Sequence, residues 1–332
     1  MKNNFGKIVK TLKEDDHFLI TSHISLDGDA IGSELALNFI LQKLNKKSTI
    51  VNEDKLPQIY SFLSGSEKVY SLKDNNFDGG IYNVGIVLDS SSLSRIGKVS
   101  EILKQVKTII NIDHHRSNEN YGKINYIDYF SSSVGEIIYD LIKYIDLDWL
   151  DEKISSCLFT AIMTDTGSFR YANVNSKTFQ VAADLTAKGA KPHIIANNVY
   201  NRNTYSGLKL LGQALSTLEI DEQKGVAWLY ITRKMLKETE ANDEEVEGII
   251  DIVTTLKDTE VSILLKETKD EKVKVSFRSK GNFDVNKFAN KFKGGGHPNA
   301  AGCLCSAPLE EVREKILSEL FKELESSQNK NK

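Results

Sequence analysis

Cysteine is scarce: this 332-residue chain has three, Cys157, Cys303 and Cys305. An odd, small number spread over such a length forms no disulfide framework, so a protein of the reducing cytoplasm is expected. Cys303 and Cys305 alternate along an expected strand, but no second cysteine or histidine pair completes a zinc site, so both are read as core residues. Proline is also sparse, at four residues; with 40% hydrophobic and 27% charged residues the composition is globular. No stretch approaches the ~20 apolar residues that span a bilayer, and residues 1–10 lack the apolar region of a signal peptide, so no membrane partner is expected. A net charge of −3 argues against a broad basic surface gripping long duplex nucleic acid. A short anionic ligand held by a few local cations stays open.

The length suffices for two domains, each with its own core. The first half alternates apolar strands, expected over 18–22, 48–52, 84–88 and 108–112, with helices over 30–44, 134–145, 152–163 and 176–188. This alternation predicts an α/β fold, a doubly wound parallel sheet over 1–205. A connecting helix (208–218) within a linker at 206–220 should lead to a smaller α+β domain over 221–325, then a disordered polar tail over 326–332. In the second domain, strands are expected over 226–231, 261–266 and 273–278, helices over 243–256 and 284–292, and a glycine loop at Gly294, Gly295 and Gly296.

The run Asp113-His114-His115 ends one buried strand, and two others lead to His23 and Asp89. Ligands of open parallel sheets sit beyond the carboxyl ends of the strands. A lone Asp-His-His is weak evidence of chemistry, and Asp29 reads as a helix N-cap as well as a ligand. Their joint occurrence with Asp27 and Asp165 is harder to explain by packing, because buried carboxylates need partners. Four aspartates with two neutral histidines carry about −4, which two divalent cations cancel. Oxygen and imidazole ligands without sulfur suit Mn²⁺, with Mg²⁺, Fe²⁺ or Co²⁺ as alternatives.

HISLDGDAIGS, LDSSSLSRIG, NIDHHRS and TDTGSFRY resemble the four motifs of the DHH phosphoesterases, and KGGGHPNAAG resembles the glycine-rich signature of their DHHA1 domain. Together they cover roughly residues 15–310, in family order, and are most similar to the stand-alone nano-RNase and 3′-phosphoadenosine 5′-phosphate (pAp) phosphatase subgroup. The resemblance implies a two-metal phosphohydrolase with its site in the cleft between the domains, acting on short RNA, linear pApA or pGpG, and pAp. It implies that His23 and Asp27 hold one metal, that Asp29, His114 and Asp165 hold the other, and that Asp89 bridges them. Asp113 would orient a histidine, and His115 would lie close to the scissile phosphate. Arg278, His297 and the glycine loop are the expected grip on the substrate, with Arg95, Arg116 and Arg170 as phosphate clamps or ion-pair partners. A homodimer is a family-level expectation. Cyclic di-AMP hydrolysis by the same site is the alternative; a pyrophosphatase should end in a different C-terminal domain.

Overall fold

The computed structural model describes residues 2–74, 77, 79–246, 248–280 and 283–328; for residues 2–4, 244, 297 and 326–328 the backbone alone is described. It divides into two compact units, Met1–Arg202 and Asn203–Lys332.

In the first unit, α1 (Lys2–Glu14) precedes β1 (His17–Thr21), α2 (Gly28–Lys43), β2 (Lys47–Asn52), β3 (Val69–Ser71), β4 (Val84–Leu88) and α3 (Val99–Leu103). There follow β5 (Thr108–Asp113), β6 (Ile124–Ile127), α4 (Val134–Ile145), α5 (Glu152–Asp165), α6 (Ser176–Ala187) and α7 (Pro192–Tyr200). The sheet runs β3-β2-β1-β4-β5-β6, every pair parallel. The strand order reverses direction between β1 and β4, which opens a crevice at their carboxyl ends. All five residues of β4 are buried, as suits a strand covered on both faces.

Helix α2 is buried almost all round, because it lies between the sheet and α5. Gly32 permits this approach: a Cβ there would fall well inside contact of the Cys157 carbonyl oxygen and 3.0 Å from the Ala161 Cβ. The α2–α5 contact sets the start of one helix beside the end of the other, so Asp27 and Asp29 come close to Asp165.

The second unit comprises α8 (Tyr205–Leu215), β7 (Glu219–Asp221), β8 (Val226–Ile231), α9 (Arg233–Thr239), α10 (Ile249–Thr254), β9 (Val261–Glu267), β10 (Val273–Ser279), α11 (Val285–Asn290), β11 (Gly295–His297), β12 (Ala300–Cys305) and α12 (Leu309–Gln328). Its sheet, β11-β12-β10-β9-β8-β7, is antiparallel apart from the parallel β8–β9 pair. Val312, Ile316 and Leu320 of α12 share a core with Val275 and Phe277, and a second core holds Leu210, Leu229, Ile250 and Leu264.

Four local expectations change. Helix α8 does not merely connect, since Leu210 and Ala214 are buried in the second unit's core. The helix expected over 243–256 is interrupted at Gly248, whose φ of 84° is left-handed. The glycine loop is in part a strand: β11 pairs with β12, and a Cβ on Gly294 would collide with the Gly302 carbonyl oxygen. Of the expected disordered tail, residues 326–328 continue α12, and 329–332 lie outside the described residues. The three cysteines are free; Cys303 is buried, with its sulfur 4.0 Å from that of Cys305. Among the described residues no helix is long and apolar enough to cross a membrane.

Candidate metal centre

The ends of β1, β4 and β5 and the facing ends of α2 and α5 supply the cluster. Asp89 follows β4 directly, and its φ of 51° turns its carboxylate away from the strand line. A non-glycine residue held there stores strain of order 1–3 kcal/mol, a cost that tends to persist at sites where the surroundings fix it. The Asp89 N–H donates to the Ile112 carbonyl oxygen at 3.1 Å, which fixes the turn against β5.

One carboxylate oxygen of Asp89 lies 3.3 Å from His23 Nε2, which is 3.6 Å from Asp27 Oδ2. The other lies 3.5 Å from His114 Nε2, which is 3.7 Å from Asp165 Oδ2. These separations are long for hydrogen bonds. They lie at or a few tenths of an ångström above the ~3.0–3.5 Å edges of coordination polyhedra whose ligands stand about 2.1 Å from a divalent ion. His23 with Asp27 and Asp89 forms one group of converging ligand atoms, and Asp29 with His114 and Asp165 another. A third, overlapping group holds Asp89, Asp113, His114 and His115.

Three observations fit these residues to cations. The buried Asp89 Oδ1 has no hydrogen-bond partner. Both histidines turn Nδ1 to a backbone carbonyl, His23 to Ile24 at 2.7 Å and His114 to Ser131 at 3.4 Å, leaving Nε2 to the carboxylates. That orientation is the usual one for imidazole ligands. The cluster is also electrostatically unbalanced. Burial opposes charge on His23, yet Asp27 and Asp89 outweigh it and push its pKa to about 11. His114 is likewise carried to about 10, chiefly by Asp89, against the same cost of burial. Burial, opposed by His114 but helped by Asp89 and Asp27, lifts Asp165 to about 7. Asp29 is raised by burial and then by Asp89 and Asp165, whereas His114 and His23 overcome burial to hold Asp89 well below the usual carboxylate range. Positive charge at the centre would take over from the protons that these groups retain.

The remaining motif residues take separate places. Asp27 is the N-cap of α2, its side chain accepting from the Ala30 N–H at 3.0 Å; Asp29 caps a different helix. Asp29 accepts from the Val134 and Gly135 N–H groups at 2.7 and 2.9 Å, so its carboxylate is seated on the amino end of α4. Asp113 is buried; its Oδ1 lies 2.7 Å from the His115 Nδ1 and also accepts from the His114 backbone N–H at 2.8 Å, so the ring it orients is that of His115. Arg95 is half-buried, and its carbonyl oxygen accepts from Ile24 N–H at 2.7 Å. The Arg170 Nε donates to the Gly167 carbonyl oxygen at 2.6 Å, and Arg116 lies over the Tyr129 ring.

In the second unit, Arg278 is paired with Asp251 at 3.0 Å. The Gly296 N–H is engaged by Asn286 Oδ1 at 2.9 Å and that of Gly294 by the Ala289 carbonyl oxygen at 3.0 Å, so two amides of the expected phosphate cradle already have acceptors. The side chain of His297 lies outside the described part.

Several supporting residues escaped the sequence reading. Asn118 Nδ2 donates to Asp113 Oδ2 at 2.6 Å, and Asn173 Nδ2 to the Asp165 carbonyl oxygen at 3.1 Å. Asn52 accepts from the Ser22 N–H at 3.0 Å and donates to Glu34 at 2.9 Å; burial pushes that glutamic acid up to about 8. The signal for Glu34 was a lone acid in an apolar helix, GSELALNFI.

Residues 17–164 match the DHH family N-terminal domain, and residues 223–326 match the DHHA1 domain. A Thermus thermophilus protein named bifunctional oligoribonuclease and PAP phosphatase NrnA is 32% identical over 306 residues, covering 92% of this chain and 89% of the relative. The Bacillus subtilis protein of the same name is 26% identical, covering 95% and 96%. Among solved structures, an exopolyphosphatase-related protein from Bacteroides fragilis superposes with a TM-score of 0.90 at 27% identity, covering 97% of this chain and 96% of that one. With both domains matched in order and a relative of this identity covered along most of its length, the chain belongs to the DHH/DHHA1 phosphoesterase family.

Proposed function

We propose that the chain is a Mn²⁺-dependent two-metal phosphoesterase that hydrolyses short oligoribonucleotides, linear dinucleotides such as pApA and pGpG, and pAp. The observation that carries this reading is the position of Asp89, whose two oxygens face two different histidine–carboxylate groups. His23 and Asp27 would hold one cation and Asp29, His114 and Asp165 the other, with Asp89 shared. Bound divalent cations would neutralise phosphoryl oxygens and lower the pKa of water at the site. The names of the relatives support the substrate class, and the net charge of −3 supports short anionic substrates over long duplexes.

The chain's own groups would do the rest. Asp113 holds Nδ1 of His115 and so presents Nε2, from which a proton can pass to the leaving oxygen. Arg95, Arg116 and Arg170 would contact phosphate from the motif loops. Arg278, kept in place by Asp251, would grip the remote part of the substrate together with Gly294, Gly295, Gly296 and His297.

The test is a Mn²⁺-supported panel of pApA, cyclic di-AMP, pAp and pyrophosphate at equal concentrations, with Asp89→Ala as the blank. Cleavage of pApA and pAp, abolished in the variant, is the expected result. Comparable cleavage of the cyclic compound would move the protein to cyclic-dinucleotide turnover. Cleavage of pyrophosphate alone would overturn the reading.

A further inference from the structure

The segment after β6 is tied to the histidine–carboxylate cluster at both ends. The Asp128 N–H donates to the Asp113 carbonyl oxygen at 3.0 Å, and the Ser131 carbonyl oxygen lies 3.4 Å from His114 Nδ1. Between these anchors stand Tyr129 and Phe130, 49% and 66% exposed, with ring centroids 4.7 Å apart. Arg116, the residue after His115, places its guanidinium 5.3 Å from the centre of the Tyr129 ring. Among the described residues no carboxylate forms an ion pair with Arg116, and its guanidinium faces the Tyr129 ring.

Core packing would have buried these rings, and instead they are presented beside the cluster by a segment of fixed backbone. Two half-exposed rings offer roughly 200–300 Å², well short of the ~800 Å² that each partner gives to a stable protein interface. The area suits one or two nucleobases. Unpaired bases stack on aromatic and guanidinium planes without regard to sequence, and a neighbouring cation suits the attached phosphate.

We infer that Arg116, Tyr129 and Phe130 form a stacking platform for the base next to the scissile phosphate of a single-stranded substrate. The inference rests on the phosphoesterase reading and adds where the base is held.

The test compares pApA with an abasic counterpart of the same phosphate–ribose backbone, in the wild type, Tyr129→Ala, Tyr129→Phe and Phe130→Ala. In Tyr129→Ala and Phe130→Ala, KM for pApA should rise about 5- to 100-fold. KM for the abasic compound should not move, and Tyr129→Phe should restore pApA. A dinucleotide carrying 2-aminopurine reports stacking without turnover: its fluorescence should be quenched by the wild type and far less by Tyr129→Ala. Absence of pApA cleavage by a wild type that still quenches the probe would fail the phosphoesterase reading and leave the platform supported. Equal KM for pApA in wild type and both alanine variants, with equal quenching, would overturn the platform. So would a shift in oligomeric state of Phe130→Ala with KM unchanged, which would make the patch a contact between copies.

Discussion

His115 Nδ1 lies 2.7 Å from Asp113 Oδ1, while the adjacent His114 directs Nε2 at Asp89 and Asp165. On the proposed reading the two neighbouring histidines would have different work. His114 faces the ligand groups, and His115 is held by a buried carboxylate that Asn118 also grips. Replacing His115 by Ala should lower kcat on the order of 10²-fold, the usual scale of one proton-transfer group. Mn²⁺ affinity should change little, and calorimetry beside the kinetics checks the split. Equal losses in both would make His115 a ligand.

The protons on the cluster give a pH prediction. His23 and His114 have folded pKa values of about 11 and about 10, above the ordinary 6.5. The stability they contribute to metal-free protein is therefore full below about 6.5 and lost as pH rises through those values. Asp165, raised to about 7, adds a penalty that grows from about pH 4 to 7, so both effects lower metal-free stability at high pH. Mn²⁺ binding at pH 7 should release about two protons per chain from the histidines and part of a third from Asp165, and apparent affinity should climb between pH 6 and 9. Calorimetry in buffers of different ionisation enthalpy measures the release; binding without it would mean that the two histidines are already neutral in the metal-free protein.

Gly32 should be intolerant of any side chain. Gly32→Ala forces α2 away from the Cys157 carbonyl oxygen, at a cost of about 1–3 kcal/mol. Because the displaced helices carry Asp27, Asp29 and Asp165, metal affinity should fall together with Tm. Thermal melts with and without Mn²⁺ distinguish this from a purely structural loss, since the Mn²⁺-induced gain in Tm should shrink.

Much of the fold was legible because buried parallel strands are continuous apolar runs, as in VGIVL at Val84–Leu88. The cluster was legible because ligand types recur at strand ends. Strand β11 was not, because a glycine triplet reads as a turn, and only the tight approach to Gly302 and Ala301 reveals why the glycines are there. The seating of Asp29 on α4 was equally hidden, since it joins residues more than one hundred positions apart. Sequence spacing identified a capping acid without saying which helix it caps.

Asn52 is a further test of support from outside the motifs. Its side chain ties the Ser22 N–H to Glu34, and Ser22 Oγ in turn donates to the Leu88 carbonyl oxygen at 2.8 Å, so the residues before His23 and Asp89 are fixed together. Asn52→Ala should weaken Mn²⁺ binding about 10- to 100-fold, the range for groups that hold ligands in place. Binding unchanged in this variant would show that the strand ends need no such tie.

The most direct measurement is the number of Mn²⁺ ions bound per chain at saturation, by equilibrium dialysis and elemental analysis, for the wild type and Asp89→Asn. Two ions in the wild type and one or fewer in the variant is the result expected if Asp89 is shared between two cations. One ion in the wild type, or two retained by the variant, would contradict the shared-carboxylate centre.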